Sequence, residues 1–209
     1  MASAQVKSAI LLAGMYAEGK TTVVEPITSR DHTERMLEAF GVRTEQEGTA
    51  VTIHPVSAFE APEAIGVPGD ISSAAYWLAA GAIIPGSSLL LRNVGVNPTR
   101  TGIIDVLQDM GASIELLNVR TSGGEAAADI NITSGSLHGV SFGADIMPRL
   151  IDEIPVIAVA ALFADGDTII TGAGELRVKE TDRLQAITDQ FNKLAPGAVE
   201  GTADGLVIH

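Results

Sequence analysis

The sequence contains no cysteine, few aromatic residues and half as many basic as acidic side chains. Without cysteine, the chain can form no disulfide, bind no metal through a thiolate and use no cysteine nucleophile. Because aromatics make up only 4% of the residues, the core must consist mainly of aliphatic side chains and closely packed backbone. The net charge of −13 disfavours nucleic-acid binding, which normally requires a basic face.

The sequence also lacks long apolar runs. The longest, residues 9–13 and 154–164, fall short of the roughly 20 residues that span a bilayer. Residues 1–5 include no basic segment leading into an apolar one, so they do not resemble a secretory leader. The 209 residues are 46% hydrophobic and 19% charged, which is typical of a globular protein. We therefore expect a soluble cytoplasmic protein with one large domain or two small ones.

Three segments share one order of predicted elements: a nearly all-apolar helix, a glycine turn, a β-branched strand, a polar loop and an amphipathic helix. The segments are residues 8–41, 73–111 and 154–190. The glycines of the turns, where a helix end favours a left-handed residue, are Gly19, Gly86 and Gly166. Alternating strands are predicted to follow at residues 49–54, 128–133 and 205–209. This self-similarity predicts stacked units that bury their apolar faces against one another.

The first helix of each segment is apolar on almost every face, which is typical of a buried helix. This pattern favours an inside-out α/β fold, with helices inside and sheets outside. The reverse layout, a doubly wound sheet core, would have amphipathic helices throughout and strongly hydrophobic strands, and a generic α/β domain is the simpler alternative. Two Pro and two Gly at residues 61–69 predict a boundary, with residues 1–67 in one lobe and residues 68–209 in another.

The densest charged motif is Glu175-Leu-Arg-Val-Lys-Glu-Thr-Asp-Arg183. We predict that it opens a helix on which Lys179 and Arg183, four residues apart, share one face. Cations beside the free N–H groups of a helix start would bind an anion. The alternative is an ordinary solvated face with ion pairs between residues four apart.

Two further motifs precede predicted helices. In Ser29-Arg-Asp-His-Thr-Glu34, Ser29 or Thr28 would cap the helix and place Arg30 and His32 in its first turn. An Arg there opposes the helix dipole unless an anion lies between them. In Ser3-Ala-Gln5, the hydroxyl and amide groups suit sugar hydroxyls or phosphate oxygens. Ordinary helix capping is the alternative for both motifs.

Asp152 and Glu153 precede the third apolar helix, with Pro155 in its first turn. A part-buried carboxylate there would suit base catalysis, although complementing the helix dipole explains it equally well. Residues 97–102 and 69–73 are predicted to cap helices and no more.

Three of the four strongest motifs fall in equivalent loops of the repeat, where the scarce cations also gather. Those cations are Arg30, Arg100, Lys179 and Arg183. Convergent polar loops of this kind predict a binding site between the lobes. The sequence contains no Gly-x-x-x-x-Gly-Lys-Ser/Thr run, so a P-loop nucleotide site is not expected.

Together these motifs resemble those of the EPSP synthase family, the 3-phosphoshikimate 1-carboxyvinyltransferases. The matching stretches are residues 3–14, 29–37, 69–73, 97–102, 152–155 and 176–183. The resemblance implies a two-lobed, inside-out α/β barrel-like fold of the kind shared with RNA 3'-phosphate cyclases. This chain would hold about three of its six units.

The resemblance further implies transfer of the enolpyruvyl group of phosphoenolpyruvate to the 5-hydroxyl of shikimate 3-phosphate, with release of phosphate. This step belongs to the shikimate pathway of chorismate and aromatic amino acid biosynthesis. Small-molecule substrates, no cofactor, no metal, no nucleic acid or membrane partner, and a monomeric full-length enzyme are implied with it.

Residue roles follow from the same resemblance. Ser3, Gln5, Ser29 and Lys179 would bind shikimate 3-phosphate, Ala4 would contribute backbone only, and Arg30 and His32 would lie nearby. Asp152 would bind the substrate hydroxyls and act as base on the 5-hydroxyl. Glu180 would exchange the proton at the methylene carbon of phosphoenolpyruvate, and Arg183 would bind its anion. The catalytic set is therefore predicted to be Asp152, Lys179 and Glu180.

Several segments of the family pattern are missing: a Lys-Ser loop, an Asn-Ala-Gly-Thr-like segment and a His-Arg segment with a late Lys. The chain thus resembles a central fragment, and we expect it to be inactive alone. Two alternatives stay open. One is a related transferase acting on UDP-N-acetylglucosamine, and the other is a non-catalytic repeat module.

Overall fold

The computed structural model describes residues 3–58 and 60–209. The chain forms two compact units. The first takes in the residues up to Pro68 together with Arg120–Ala127, and the second takes in Gly69–Val119 and Ala128–His209. Residues 120–127, which the sequence placed in the second lobe, therefore belong with the first unit.

The first unit is built on a three-stranded sheet. Its elements are α1 (Ala4–Gly14), β1 (Thr21–Val24), α2 (His32–Ala39), β2 (Thr44–Glu47) and β3 (Ala50–Ile53). The central strand β3 pairs antiparallel with both neighbours, so that Ile53 lies opposite Thr21 on one side and Thr44 on the other. Apolar residues of both helices and of β3 form the core beneath the sheet, among them Leu11, Leu37 and Ile53.

The second unit contains two sheets. Its elements are α3 (Ile71–Ile83), β4 (Ser88–Gly95), α4 (Gly102–Asp109), β5 (Ser113–Ser122), β6 (Glu125–Thr133), β7 (Ser141–Phe142), α5 (Ile154–Ala161), β8 (Thr168–Ile170), α6 (Arg183–Leu194), β9 (Val199–Gly201) and β10 (Leu206–Ile208). One sheet has the order β4-β6-β5, with the far ends of β5 and β6 belonging to the first unit. The other has the order β7-β8-β10-β9, in which β7 and β8 are parallel and the other pairs antiparallel.

The helices α3 and α5 lie in the interior of the second unit and pack against each other. Most of their side chains are buried, whereas those of β4 and β5 are largely exposed or half-buried. The predicted arrangement of helices inside and strands outside is therefore confirmed in this unit.

The prediction of a buried apolar helix is wrong for α1 in the described chain. Leu11 is fully buried, but Val6, Ile10 and Leu12 are exposed. An apolar helix is buried only where neighbours cover each face, and here the small sheet covers one face only.

Glycine at position 124 is required by a close backbone approach. Gly123 and Gly124, which join β5 to β6, both have positive φ, at 59° and 82°. A Cβ at Gly124 would lie 2.3 Å from the carbonyl oxygen of Arg35, so no larger residue fits there. Of the predicted turn glycines, Gly86 and Gly166 have positive φ, whereas Gly19 does not.

Within residues 3–58 and 60–209, no helix is both long enough and apolar enough to cross a membrane.

Candidate active site

A buried lysine organises the polar residues of the first unit. Lys7, on α1, is 2% exposed, and its Nζ lies 3.0 Å from Glu25 Oε2 and 2.6 Å from Glu34 Oε1. Burial lowers the pKa of Lys7, but hydrogen bonds and charge attraction from Glu34 and Glu25 outweigh it, so the pKa is raised overall. Lys7 therefore stays charged and ties α1 to the segment between Glu25 and Glu34.

Ser29 is attached to the same network. Its hydroxyl donates a hydrogen bond to Glu25 Oε1, and its backbone N–H donates one to Glu25 Oε2 over 3.3 Å. The prediction that Ser29 or Thr28 caps α2 is wrong, because the residue at the cap position is Asp31. The Asp31 side chain makes no capping bond, since it accepts from Arg35 Nε at 2.8 Å instead.

The start of α1 carries the Ser3-Ala4-Gln5 motif, as predicted. Ser3 is the N-cap, and its hydroxyl oxygen accepts from the backbone N–H of Val6 at 3.3 Å. The same hydroxyl donates to Gln5 Oε1 over 3.4 Å. Ordinary capping therefore accounts for Ser3, and Gln5 is exposed.

Thr33, the second residue of α2, connects this helix to α1. The Thr33 and Ser8 hydroxyl oxygens lie 2.6 Å apart. His32 is the first residue of α2, and its Nδ1 lies 2.6 Å from Glu125 Oε1. Arg30 precedes the helix, so the prediction that it occupies the first helical turn is wrong.

In the second unit, Asp152 and Arg183 form an ion pair. Arg183 Nη1 lies 3.5 Å from Asp152 Oδ1, and both side chains are about one-third exposed. Asp152 belongs to a 3-10 turn, Ile151–Glu153, that leads directly into α5. Pro155 occupies the first turn of α5, as predicted. A carboxylate at the start of a buried helix is thus held beside a guanidinium.

Lys179 and Arg183 do not share a helix face, so that prediction is wrong. Lys179 follows the 3-10 turn Gly174–Val178 in an extended conformation, and α6 begins only at Arg183. Asp182 is the reason, because its side chain caps α6 by accepting from the backbone N–H of Gln185 at 2.9 Å. Lys179 instead pairs with Glu175, at 2.8 Å.

Glu180 lies on the exposed loop before α6. A hydrogen bond from its own backbone N–H and the Arg183 guanidinium, 2.7 Å away, hold the pKa of Glu180 below its usual value. The Glu180 carboxylate is therefore ionised at neutral pH, and the same shift makes it a weaker base. Arg183 joins the two predicted catalytic carboxylates, since it contacts both Glu180 and Asp152.

Sequence reasoning missed the buried charges that support these residues. Lys7 could have been noticed, because a single cation within the otherwise apolar helix 4–14 requires buried partners. The identity of those partners, Glu25 and Glu34, depends on contacts between residues far apart in sequence. Glu153 is 2% exposed, which is a deeper burial than the part-buried carboxylate predicted at this helix start.

A groove of about 460 Å³ on the second unit lies apart from the predicted residues. Its lining residues are Asp109, Ser141, Phe142, Gly143, Asp145, Ile146, Ile169 and Thr171. The part of the chain that the structure describes includes no group of three or more His, Asp or Glu side chains arranged to hold a metal ion.

Comparisons with known proteins give one consistent result. The family model for EPSP synthase (3-phosphoshikimate 1-carboxyvinyltransferase) matches residues 1–209. The chain is 56% identical over 209 residues to a 3-phosphoshikimate 1-carboxyvinyltransferase of Bacillus cereus, and 54% identical over 209 residues to that of Bacillus subtilis. It covers 48% of each relative, so it spans about half the length of the curated proteins it matches.

Solved structures agree with this result. An EPSP synthase from Acinetobacter baumannii superposes with a TM-score of 0.93 at 47% identity, over 100% of this chain and 47% of that one. The enolpyruvyl transferase NikO from Streptomyces tendae superposes over 95% of this chain with a TM-score of 0.67 at 20% identity, which shows the shared fold. The predicted enolpyruvyl transferase fold is therefore confirmed. With its whole length matched by the family model and relatives above 50% identity, the chain belongs to the EPSP synthase (3-phosphoshikimate 1-carboxyvinyltransferase) family.

Proposed function

We propose that this chain supplies about half of an EPSP synthase that transfers the enolpyruvyl group of phosphoenolpyruvate to the 5-hydroxyl of shikimate 3-phosphate. The observation that carries the proposal is the family match over all 209 residues. The first unit would be part of the N-terminal lobe and the second part of the C-terminal lobe. The enzyme would be cytoplasmic and monomeric, with small molecules as its only substrates.

The residues of the second unit supply the groups that the reaction needs. Asp152 takes the proton of the 5-hydroxyl, and the oxygen forms a bond to C2 of phosphoenolpyruvate while the carboxylic acid form of Glu180 donates a proton to C3, which leaves Glu180 ionised for the elimination. The product of this addition is a tetrahedral intermediate. Loss of a C3 proton and cleavage of the C2–O bond to phosphate then regenerate the double bond. Each step requires a positioned base or acid and cations near the phosphate and carboxylate.

Arg183 and Glu180 have complementary duties in this scheme. Arg183 is about one-quarter exposed, so it can exchange a carboxylate partner for the phosphoenolpyruvate anion. The lowered pKa of Glu180 favours the ionised form that accepts the C3 proton in the elimination step, and it also makes this carboxylate a weaker base. Lys179 contacts the phosphorylated shikimate after leaving Glu175, its partner in the unliganded chain.

In the first unit, Ser3, Gln5 and Ser29 hold the 3-phosphate and hydroxyl groups of shikimate 3-phosphate, with Ala4 contributing backbone. The Ser3 hydroxyl donates a hydrogen bond to the side-chain oxygen of Gln5, and the Ser29 hydroxyl donates one to the Glu25 carboxylate. Each hydroxyl carries one proton, so phosphate binding requires it to change acceptor. Arg30 and His32 lie beside this group in sequence and support it electrostatically.

The test uses a composite enzyme, in which residues 1–209 replace the matching segment of the Bacillus subtilis relative. Phosphate release is measured with phosphoenolpyruvate and either shikimate 3-phosphate or UDP-N-acetylglucosamine. We expect release with shikimate 3-phosphate alone. Release only with the nucleotide sugar would instead identify the related transferase.

Substitutions in the composite test whether this chain contributes catalytic residues or is a non-catalytic repeat module. Arg183→Ala should lower kcat/KM by roughly 100-fold or more, as is usual when a charge-stabilising group is removed. Lys193→Ala, on the same helix and exposed, is the matched control and should leave turnover unchanged. A folded composite without turnover, or full activity of Arg183→Ala and Lys179→Ala, would contradict the proposal.

A further inference from the structure

Two sequence motifs have no part in the reaction as proposed above. One is residues 97–102, before α4, and the other is residues 69–73, at the start of α3. The structure joins both to the turn that carries Asp152.

The first motif is a rigid loop. The Asn97 side chain is buried, and its Oδ1 accepts from the backbone N–H of Thr99 at 2.9 Å and from the Thr99 hydroxyl at 2.7 Å. Arg149, three residues before Asp152, spans the loop. Its Nε donates to the Pro98 carbonyl at 2.7 Å, and its Nη2 donates to the Thr101 hydroxyl at 3.0 Å. The loop is therefore fixed to the chain that approaches Asp152.

From this loop a chain of hydrogen bonds runs to the residue next to Asp152. Arg100 Nη2 donates to the Ser72 hydroxyl oxygen at 2.6 Å, and the Ser72 hydroxyl donates to Glu153 Oε1. The direction is consistent, because guanidinium only donates, carboxylate only accepts, and a hydroxyl does both. Ser72 therefore bridges the Arg100 guanidinium and the Glu153 carboxylate.

Because the Glu153 carboxylate is buried, it needs the hydrogen bonds of this chain in place of water. Glu153 is 2% exposed, and the Arg100 side chain is 15% exposed. A buried carboxylate is tolerated only when hydrogen bonds and an opposite charge replace water. Ser72, on α3, donates a hydrogen bond to Glu153, so the turn that leads into α5 can adopt few other conformations. Asp152 is its neighbour in the same 3-10 turn, Ile151–Glu153.

We propose that Arg100, Ser72 and Glu153 form a positioning chain that fixes the Asp152 carboxylate for proton transfer. This inference rests on the proposed function, in which Asp152 is the base. None of the three residues belongs to the set proposed above to bind substrate. They act by holding the turn, so that Asp152 keeps its place beside Arg183, 3.5 Å away. Ser72, from the motif at residues 69–73, and Arg100, from the motif at residues 97–102, then have a common purpose in the reaction.

The experiment removes the middle of the chain in the composite enzyme. Ser72→Ala takes away one hydroxyl and breaks both links, while Ser72→Thr keeps the hydroxyl. Ser73→Ala is the matched control, because Ser73 lies on the same helical turn but its hydroxyl bonds Asp70 at 3.0 Å instead of Glu153. Values of kcat, both KM values and the melting temperature are measured for each variant, at a temperature well below every transition.

We expect Ser72→Ala to lower kcat by roughly 10- to 100-fold, because a shift of about 1 Å in a reacting group has an effect of this size. The KM for phosphoenolpyruvate should change less than about twofold, since Arg183 remains. Ser72→Thr should restore most of the kcat, and Ser73→Ala should keep it. Equal kcat for Ser72→Ala and Ser73→Ala, or no recovery in Ser72→Thr, would overturn the proposal.

A second measurement does not depend on turnover. In the 209-residue chain, the backbone amides of residues 152–154, 156 and 157 should exchange hydrogen faster in Ser72→Ala than in Ser73→Ala. If the unsubstituted composite shows no turnover, the proposed function fails. Hydrogen exchange still decides whether the positioning chain of Arg100, Ser72 and Glu153 holds the turn Ile151–Glu153. If the composite is active and exchange and kcat are the same in both variants, the positioning role alone fails.

Discussion

The Nζ of Lys7 lies 2.6 Å from Oε1 of Glu34, and both side chains are more than 90% buried. An ion pair of this kind contributes little compared with a well-packed apolar pair, but removing one partner leaves an uncompensated buried charge. The second carboxylate, Glu25, makes the site more sensitive to the loss of Lys7 than a simple pair would be.

Lys7→Met should destabilise the 209-residue chain by about 3–5 kcal/mol, the usual effect of breaking a buried ion pair from one side. Chemical denaturation measures this difference. Lys20→Met, at an exposed position, is the control and should change the free energy of unfolding by less than about 0.5 kcal/mol. Equal effects of the two substitutions would show that the buried pairs contribute nothing.

The two carboxylates that contact Lys7 should differ in their effect on Ser29. Glu25→Ala removes the acceptor of the Ser29 N–H and hydroxyl, whereas Glu34→Ala leaves both bonds in place. Both variants should be less stable than the parent. Hydrogen exchange at the Ser29 amide, corrected for global stability, should accelerate in Glu25→Ala only, and similar acceleration in both variants would contradict this assignment.

Acid should weaken the start of α6 through Asp182. A hydrogen bond from the Gln185 N–H and the Arg177 guanidinium, at 2.7 Å, lower the pKa of Asp182. Because the folded-state pKa is below the unfolded value, the stabilisation is complete above about pH 3.8 and disappears as pH falls through the folded-state pKa. Asp182→Asn keeps a capping side chain but no charge. The melting temperature of Asp182→Asn should therefore lie below that of the parent at pH 7. The difference between the two melting temperatures should become smaller as the pH falls.

His209 should titrate at a higher pH than an ordinary histidine. A hydrogen bond to Asp167, at 3.0 Å, is the largest cause of its raised pKa, with a smaller contribution from Glu200. The stabilisation from this pair is complete below about pH 6.5 and is lost as pH rises through the folded-state pKa. NMR titration should give a lower His209 pKa in Asp167→Asn, and a smaller decrease in Glu200→Gln. No change in either variant would contradict the pairing.

The 209-residue chain alone should not release phosphate from phosphoenolpyruvate and shikimate 3-phosphate. The resemblance to the family implies that several cations of the site lie in segments that this sequence lacks. Steady-state assay of the purified chain, compared with the composite enzyme, tests this expectation. Turnover of the chain at the rate of the composite would show that the remaining segments are not required.

Local patterns were sufficient to predict most regular elements. The β-branched pairs Val23–Val24 and Ile169–Ile170 lie in strands β1 and β8, and the alternation at residues 128–133 lies in β6. Strand β5 was not predicted, because its exposed residues include Glu115, Asn118 and Arg120 and break the alternation. Propensity is a poor guide for a strand whose residues are almost all exposed.

The site was predicted less completely, because its geometry depends on contacts that are distant in sequence. Asp152 and Arg183 were assigned to one site, and they do form an ion pair. The motif at residues 179–183 was predicted to be helical from its spacing, although Asp182 delays the helix by capping it. The bond from Ser72 to Glu153 joins residues 81 positions apart, which no local pattern reveals.

The return of residues 120–127 to the first unit means that the two units are interleaved along the chain. A protease nick after Pro68 would not release an intact amino-terminal piece, since His32 would lose the Glu125 carboxylate, 2.6 Å away. To study the first unit separately, residues 120–127 must therefore be joined through a linker to the fragment that ends at Pro68.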